Sequence, residues 1–252
     1  MEGMLQPPSA SAFDAAASIV SLLVYLGVAV AAVWKTPADT RARAFLAVAV
    51  ASGIPYALAP LQWWKGPGLY TPGVIALAAT AFAVGGLALF HFTQVFPAQR
   101  PWIAAHGRWI TAAYAALPLP VAALSWGVGA VLMPMAASAG GDTGAVSLAT
   151  GLLLIGLTIP LILLVGVLLP CAGVLSLVKS WQEAKANGRE RERSATFWML
   201  VSQLGGGVLA VLVLPMLHLI GIGPPWSMLI AVLTYAFALL LPASFFRYAA
   251  AR

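Results

Sequence analysis

Few side chains in this 252-residue chain could do chemistry, and those few sit in apolar surroundings. His91 and Gln94 lie one helical turn apart in LALFHFTQVFPAQRPW, residues 87–102. Gln203 and His218 share a second apolar stretch, and Tyr25, Tyr56, Tyr114 and Tyr235 lie in others. An imidazole can be an axial ligand to a haem or chlorophyll-type pigment, so His91 and His218 are the candidate cofactor ligands. They cannot hold one iron together. They fall near opposite ends of their helices, roughly 20 Å or more apart at 1.5 Å rise per residue. A lone histidine is more often a hydrogen-bonded structural residue, and the expected cofactor set is none. His91 and Gln94, spaced i and i+3, share a helix face. Gln203 falls at similar depth in its own helix. A polar cluster of His91, Gln94 and Gln203 would satisfy buried polar groups and fix helix packing. The sharper alternative is a polar switch whose packing responds to a signal.

The absences narrow the chemistry further. No Asp, Glu, Lys or Arg lies well inside an apolar stretch, where ionisable groups would mark proton relays or ion paths. The last apolar stretch, 226–246, has no lysine for a retinal Schiff base. No glycine-rich phosphate loop, His-Glu-x-x-His run or nucleophile elbow occurs. The single cysteine, Cys171, allows neither an intrachain disulfide nor a cysteine-based metal cluster. These absences lead to the expectation of a non-enzyme with no catalytic residues and no metal site.

The elements that must position these side chains follow from composition. Hydrophobic residues make up 62% of the chain and charged residues only 8%, against about 25% charged in soluble domains. Such a chain cannot cover a surface in water, and the bilayer is its natural solvent. Seven apolar stretches reach membrane-spanning length, at about 15–34, 44–64, 73–96, 109–132, 148–178, 195–220 and 226–246. The fifth exceeds the hydrocarbon thickness, so it must tilt, kink at Pro160 or Pro170, or project beyond the membrane. Small-residue pairs such as Gly85-Gly86 and Gly205-Gly206 would let backbones approach.

Charge placement orients the bundle. Twelve of the thirteen basic residues fall in alternate linkers and the C-terminal tail; only Lys65 lies in the other set. The positive-inside rule then puts the N-terminus outside and the C-terminus in the cytoplasm, which requires an odd number of helices. Tryptophans 34, 102, 109, 181 and 198 mark one interface and 63, 64, 126 and 226 the other. The fold class expected is all-α: a single polytopic domain over 1–252, a seven-helix bundle in a bacterial inner membrane. The net charge of +6 is thereby assigned to topology and not to nucleic acid. Glu2 and Asp14, with no positive n-region, lead to the expectation that the first apolar stretch is a retained helix and not a cleaved signal.

The longest polar stretch, KSWQEAKANGRERERS at 179–194, is too short to bury a core. It reads as a solvated extension of the fifth helix ending near Asn187-Gly188. Its functional reading is a docking site for a cytoplasmic partner or anionic lipid through Lys185, Arg189, Arg191 and Arg193.

Three stretches resemble a known arrangement. LFHFTQVFPAQRPW at 89–102 is similar to the HF-x-x-x-FP-x-x-RP end of the third helix in the multi-helix membrane-sensor regions of bacterial sensor histidine kinases. GRERERSATFWMLVSQLGGG at 188–207 resembles the start of their penultimate helix, and LLLPASFFRYAAAR at 239–252 resembles their exit into the cytoplasm. In that family the chain continues into kinase domains. Here five residues follow Arg247. The resemblance implies a sensor or anchor module without its own output, working through a protein partner. Two other readings stand beside it. One is an accessory subunit of a respiratory or photosynthetic membrane complex. The other is a transporter or a lipid- or quinone-binding protein.

Overall fold

The computed structural model describes residues 12–65, 71–137, 156–157, 160–161, 163–209, 213, 216 and 226–250. Among these the chain is helical throughout, with no strand. The helices are α1 (Ala12–Lys35), α2 (Thr40–Lys65), α3 (Pro72–Val95), the short α4 (Pro101–Ala105), α5 (Gly107–Ala116), α6 (Pro118–Ala137), α7 (Leu169–Ala186), α8 (Glu190–Val208) and α9 (Trp226–Ala250). A π-helical turn, Leu164–Leu168, leads into α7. Among the described residues, four stretches are helical, long and apolar enough to cross a membrane: Ala15–Lys35, Pro72–Val95, Gly107–Val131 and Val232–Ala249.

Local sequence explains the boundaries. Thr71 caps α3, its Oγ1 accepting the Val74 N–H at 3.3 Å, and Pro72 fills the first turn, where an N–H is not needed. The fourth apolar stretch does not run as one regular helix. It bends at Leu117, just before Pro118, into α5 and α6. The fifth stretch projects well past its apolar part. α7 runs to Ala186 and stops where Asn187 leaves helical geometry and Gly188 takes φ +65°, the left-handed conformation that suits glycine. This is the helical extension the polar stretch suggested. The next helix starts at Glu190, inside the charged run, supported by i,i+3 pairs of Arg189 with Glu192 (2.8 Å) and Arg193 with Glu190 (2.7 Å).

Six helices close into a ring. α1 packs on α2, α2 on α3, α3 on α7, α7 on α8, α8 on α9, and α9 returns to α1. α5 and α6 pack outside this ring against α3. Alanines 29, 32, 42, 44 and 49 are buried and let α1 and α2 approach closely. Gly86 does the same for α3, where a Cβ would run into the Val165 carbonyl oxygen. Gly205 on α8 lies against the Phe237 ring of α9.

The centre of the ring is aromatic toward one end. Phe45, fully buried, stacks on Phe245 at 4.5 Å between centroids and meets Phe92 at 5.5 Å and Tyr25 at 6.2 Å. Phe92 stacks on Phe96 at 5.5 Å, and Phe96 meets Tyr248 edge-on at 4.8 Å. The outward faces carry Leu23, Leu119 and Leu175, all largely exposed, as suits contact with lipid.

Candidate functional site

The functional candidate has two levels within the six-helix ring: a network of arginines at one end and a cavity beyond the aromatic layer. The network starts at the α1–α2 turn. Asp39 stands just before α2, and its carboxylate accepts the Arg41 backbone N–H at 2.9 Å, the role of an N-cap. The same carboxylate takes Arg41 Nε at 2.9 Å and Nη2 at 2.8 Å. This two-pronged pairing fixes the plane of the guanidinium. Its free edge then points across the ring. Nη1 donates to the Pro97 carbonyl oxygen at 3.0 Å and to the Tyr248 hydroxyl at 3.2 Å. Tyr248 itself donates to the Pro97 oxygen at 3.2 Å. Partial burial disfavours the charged Arg41, but the hydrogen bond and charge of Asp39, with Tyr248, outweigh it and hold its pKa above the ordinary value.

Arg191, from the start of α8, donates to the Tyr248 carbonyl oxygen. Both guanidiniums lie over the Tyr248 ring, Arg41 at 5.8 Å and Arg191 at 5.5 Å from its centroid. A second arginine centre lies between α3 and α7. Arg100 pairs with Glu183 at 3.2 Å and donates to Ser180 Oγ at 2.9 Å and the Ser176 carbonyl at 3.2 Å. Gln94, 5% exposed, accepts from Ser176 Oγ at 3.2 Å and Trp102 Nε1 at 3.4 Å. These bonds tie the ends of α2, α3, α7, α8 and α9 together. No nucleophile paired with a base occurs in this network. Its groups hold and orient helix ends.

Beyond the aromatic layer lies a cavity of about 310 Å³ reached by all six ring helices. Tyr25, Tyr56, Ser52, Ser202 and Gln203 are among its lining. Tyr25 donates to the Ala238 carbonyl at 2.8 Å. Tyr25 and Tyr56 rings lie 5.9 Å apart, and Tyr56 and Tyr235 rings 6.4 Å. Tyr235 shares a 2.9 Å hydrogen bond with Ser18.

The side chains singled out from sequence go to different places. Gln94 faces α7, as above. His91 turns the other way, out of the ring toward α5, with Tyr114 Oη 3.5 Å from its Nδ1 and the rings 5.9 Å apart. Gln203 lines the cavity. Among the described residues no hydrogen bond joins His91, Gln94 and Gln203. His218 lies outside the described residues. Of the four basic residues read as a docking face, Arg189 and Arg193 hold Glu192 and Glu190, and Lys185 Nζ lies over the Trp181 ring at 5.6 Å. Arg191 is committed to Tyr248. Sequence reading passed over Asp39, Arg41, Arg100 and Tyr248 as sites. The available signal was that four short basic stretches, ADTRAR, FPAQRP, RERER and FFRY, each lie at the start or end of a helix on the same side.

No protein-family model, no curated protein and no solved structure matches this chain.

Proposed function

We propose that this chain is a non-catalytic, sensor-like module of the bacterial inner membrane, a seven-helix bundle with its C-terminus in the cytoplasm, acting through a protein partner. One observation carries the reading. The three stretches that resemble kinase-linked membrane sensors, far apart in sequence, supply Pro97, Arg191 and Tyr248 to one network at one end of the ring, and Arg100 to the second arginine centre. Together these two centres bind five helix ends, an arrangement suited to passing a change in ring packing on to the end of α9. The basic run 188–194 and the end of α9 are the surfaces offered to the partner. Arg189 and Arg193 are the residues with which to test docking, because replacing Arg191 would also disturb Tyr248.

The test is purification in a mild detergent, with mass spectrometry and a visible spectrum of the same peak. It is paired with photo-crosslinking in cells from a reactive residue placed at position 249. The expected result is a colourless peak without stoichiometric partners, and a crosslinked cytoplasmic protein lost on combining Arg189→Ala with Arg193→Ala. A pigmented peak, or a fixed set of co-purifying membrane subunits, would overturn the reading in favour of an accessory subunit of a larger complex.

A further inference from the structure

The cavity within the ring gathers several polar side chains that have no hydrogen-bond partner among the described residues. Several hydroxyls on the helices bond back to their own backbone, Thr234 of the cavity lining among them, whereas Ser21 and Ser125 are buried without a partner. Thr80, Thr93, Thr196, Thr234 and Ser244 each donate to a carbonyl three or four residues earlier, at 2.6–2.8 Å. Ser52 and Ser202, which line the cavity, make no such bond, and among the described residues Tyr56 and Gln203 have no hydrogen-bond partner either. Pro55 adds an acceptor. It has no N–H to give the Ala51 carbonyl one turn back, and both residues line the cavity. Unpaired polar groups in a membrane interior cost free energy unless something enters to meet them. No Asp, Glu, Lys, Arg or His occurs among the described lining residues, so a charged group would find no counter-ion. Val48, Leu89 and Leu241 supply the apolar wall, and the half-exposed Phe82 brings the cavity to the helix exterior, where lipid would lie.

We infer that the cavity binds a neutral lipid whose uncharged polar end carries hydroxyl and carbonyl oxygens. Tyr56, Ser52, Ser202 and the Gln203 amide would donate to those oxygens, and the Ala51 carbonyl would accept from a hydroxyl. The volume is at the lower end of ligand pockets, which run from about 300 to 1,000 Å³, so it takes the polar end and the first part of one chain. The inference does not depend on the signalling reading, since binding is measured without any partner.

The test uses the full chain in lipid nanodiscs and a monoacylglycerol carrying a diazirine near its ester, with a matching diazirine fatty acid as the anionic control. Labelled residues are located by mass spectrometry. Labelling is expected on α2, α8 and α9 around the cavity, competed by unlabelled monoacylglycerol. Combining Tyr56→Phe with Ser202→Ala should weaken it about tenfold or more, as two lost hydrogen bonds imply. Ala51→Leu, which fills the space, should also abolish it. The Tyr56 and Ser202 pair leaves the shape almost unchanged and keeps the test decisive if Ala51→Leu does not fold. Labelling indifferent to the polar pair, absence of competition, or equal labelling by the fatty acid would overturn the inference. The first two would mean a cavity that holds only water or bulk lipid.

Discussion

The same six helices pass through both levels of the ring, yet the cavity level leaves several polar side chains unpaired where the arginine end pairs its own. At the arginine end Asp39, Arg41, Arg100, Gln94 and Tyr248 each meet a partner on another element or on the turn that begins their own. At the cavity, Tyr25 and Thr234 bond to backbone carbonyls, but Ser52, Tyr56, Ser202 and Gln203 meet no partner among the described residues. Between the levels lies an aromatic layer that separates the arginines from the cavity. The contrast teaches that helix packing here is held at one end. In a lipid solvent apolar burial gives little net drive, so association rests on close contact and hydrogen bonds. Those are concentrated where Phe45, Phe92, Phe245 and the arginines sit. The cavity level is left free to rearrange.

The aromatic layer offers the largest test of that division. Phe45→Ala should destabilise the bundle by about 3–5 kcal/mol, because a fully buried ring in contact with Phe92, Phe245 and Tyr25 would leave a void. Phe82→Ala, at the half-exposed rim of the cavity, should change stability by only about 0.5 kcal/mol. Thermal unfolding in one mild detergent measures both. Equal losses would mean that the cavity level is as tightly packed as the rest.

Arg41 tests the polar half of the same claim. Arg41→Ala removes the donor shared by Pro97 and Tyr248 and the two-pronged partner of the Asp39 carboxylate, with an expected cost of about 2–3 kcal/mol. Arg41→Lys should recover no more than about half of it, since one ammonium cannot face Asp39 on one edge and Pro97 on the other. Full rescue by lysine would show that only the charge matters, and that the guanidinium does not clamp helix ends. By contrast, Arg193→Ala, whose ion pair with Glu190 is largely exposed, should cost about 0.5 kcal/mol or less.

How much of this could be read from the sequence depends on what each feature needs. Helix positions need only length and apolarity, so α1, α3 and α9 fall close to the apolar stretches that announce them. The break between α5 and α6 is marked in the sequence by Pro118 alone, in a run that stays apolar on both sides. The start of α8 was hidden because RERER reads as a linker, although its charges alternate at the spacing that supports a helix. The site depends on azimuth, which periodicity does not supply. His91 and Gln94 are three residues apart on α3, but α3 has neighbours on several sides, so one side chain meets α5 and the other α7. Arg41 and Tyr248 are 207 positions apart, and nothing local in either stretch specifies the other. What was visible was that basic stretches lie at the starts or ends of several helices on one side; what the ring adds is which of them meet.

The smallest expected effect is the most discriminating. Thr196 and Ser202 lie on the same helix, six residues apart, and both are buried, at 0% and 4% exposure. Thr196 Oγ1 donates to the Glu192 carbonyl at 2.7 Å, so Thr196→Val should cost about 1 kcal/mol. Ser202 has no such bond, and deleting a hydroxyl that lacks a partner removes a desolvation penalty along with the group. Ser202→Ala should therefore lie within about 0.5 kcal/mol of the parent, on the stabilising side, when measured in detergent without added lipid. The sign should reverse when monoacylglycerol is supplied, because the parent then gains a hydrogen bond that the variant cannot make. A loss equal to that of Thr196→Val without lipid would show that Ser202 is already satisfied inside the protein. The division of the ring into a clamped end and an open level would then fail at the residue chosen to mark it.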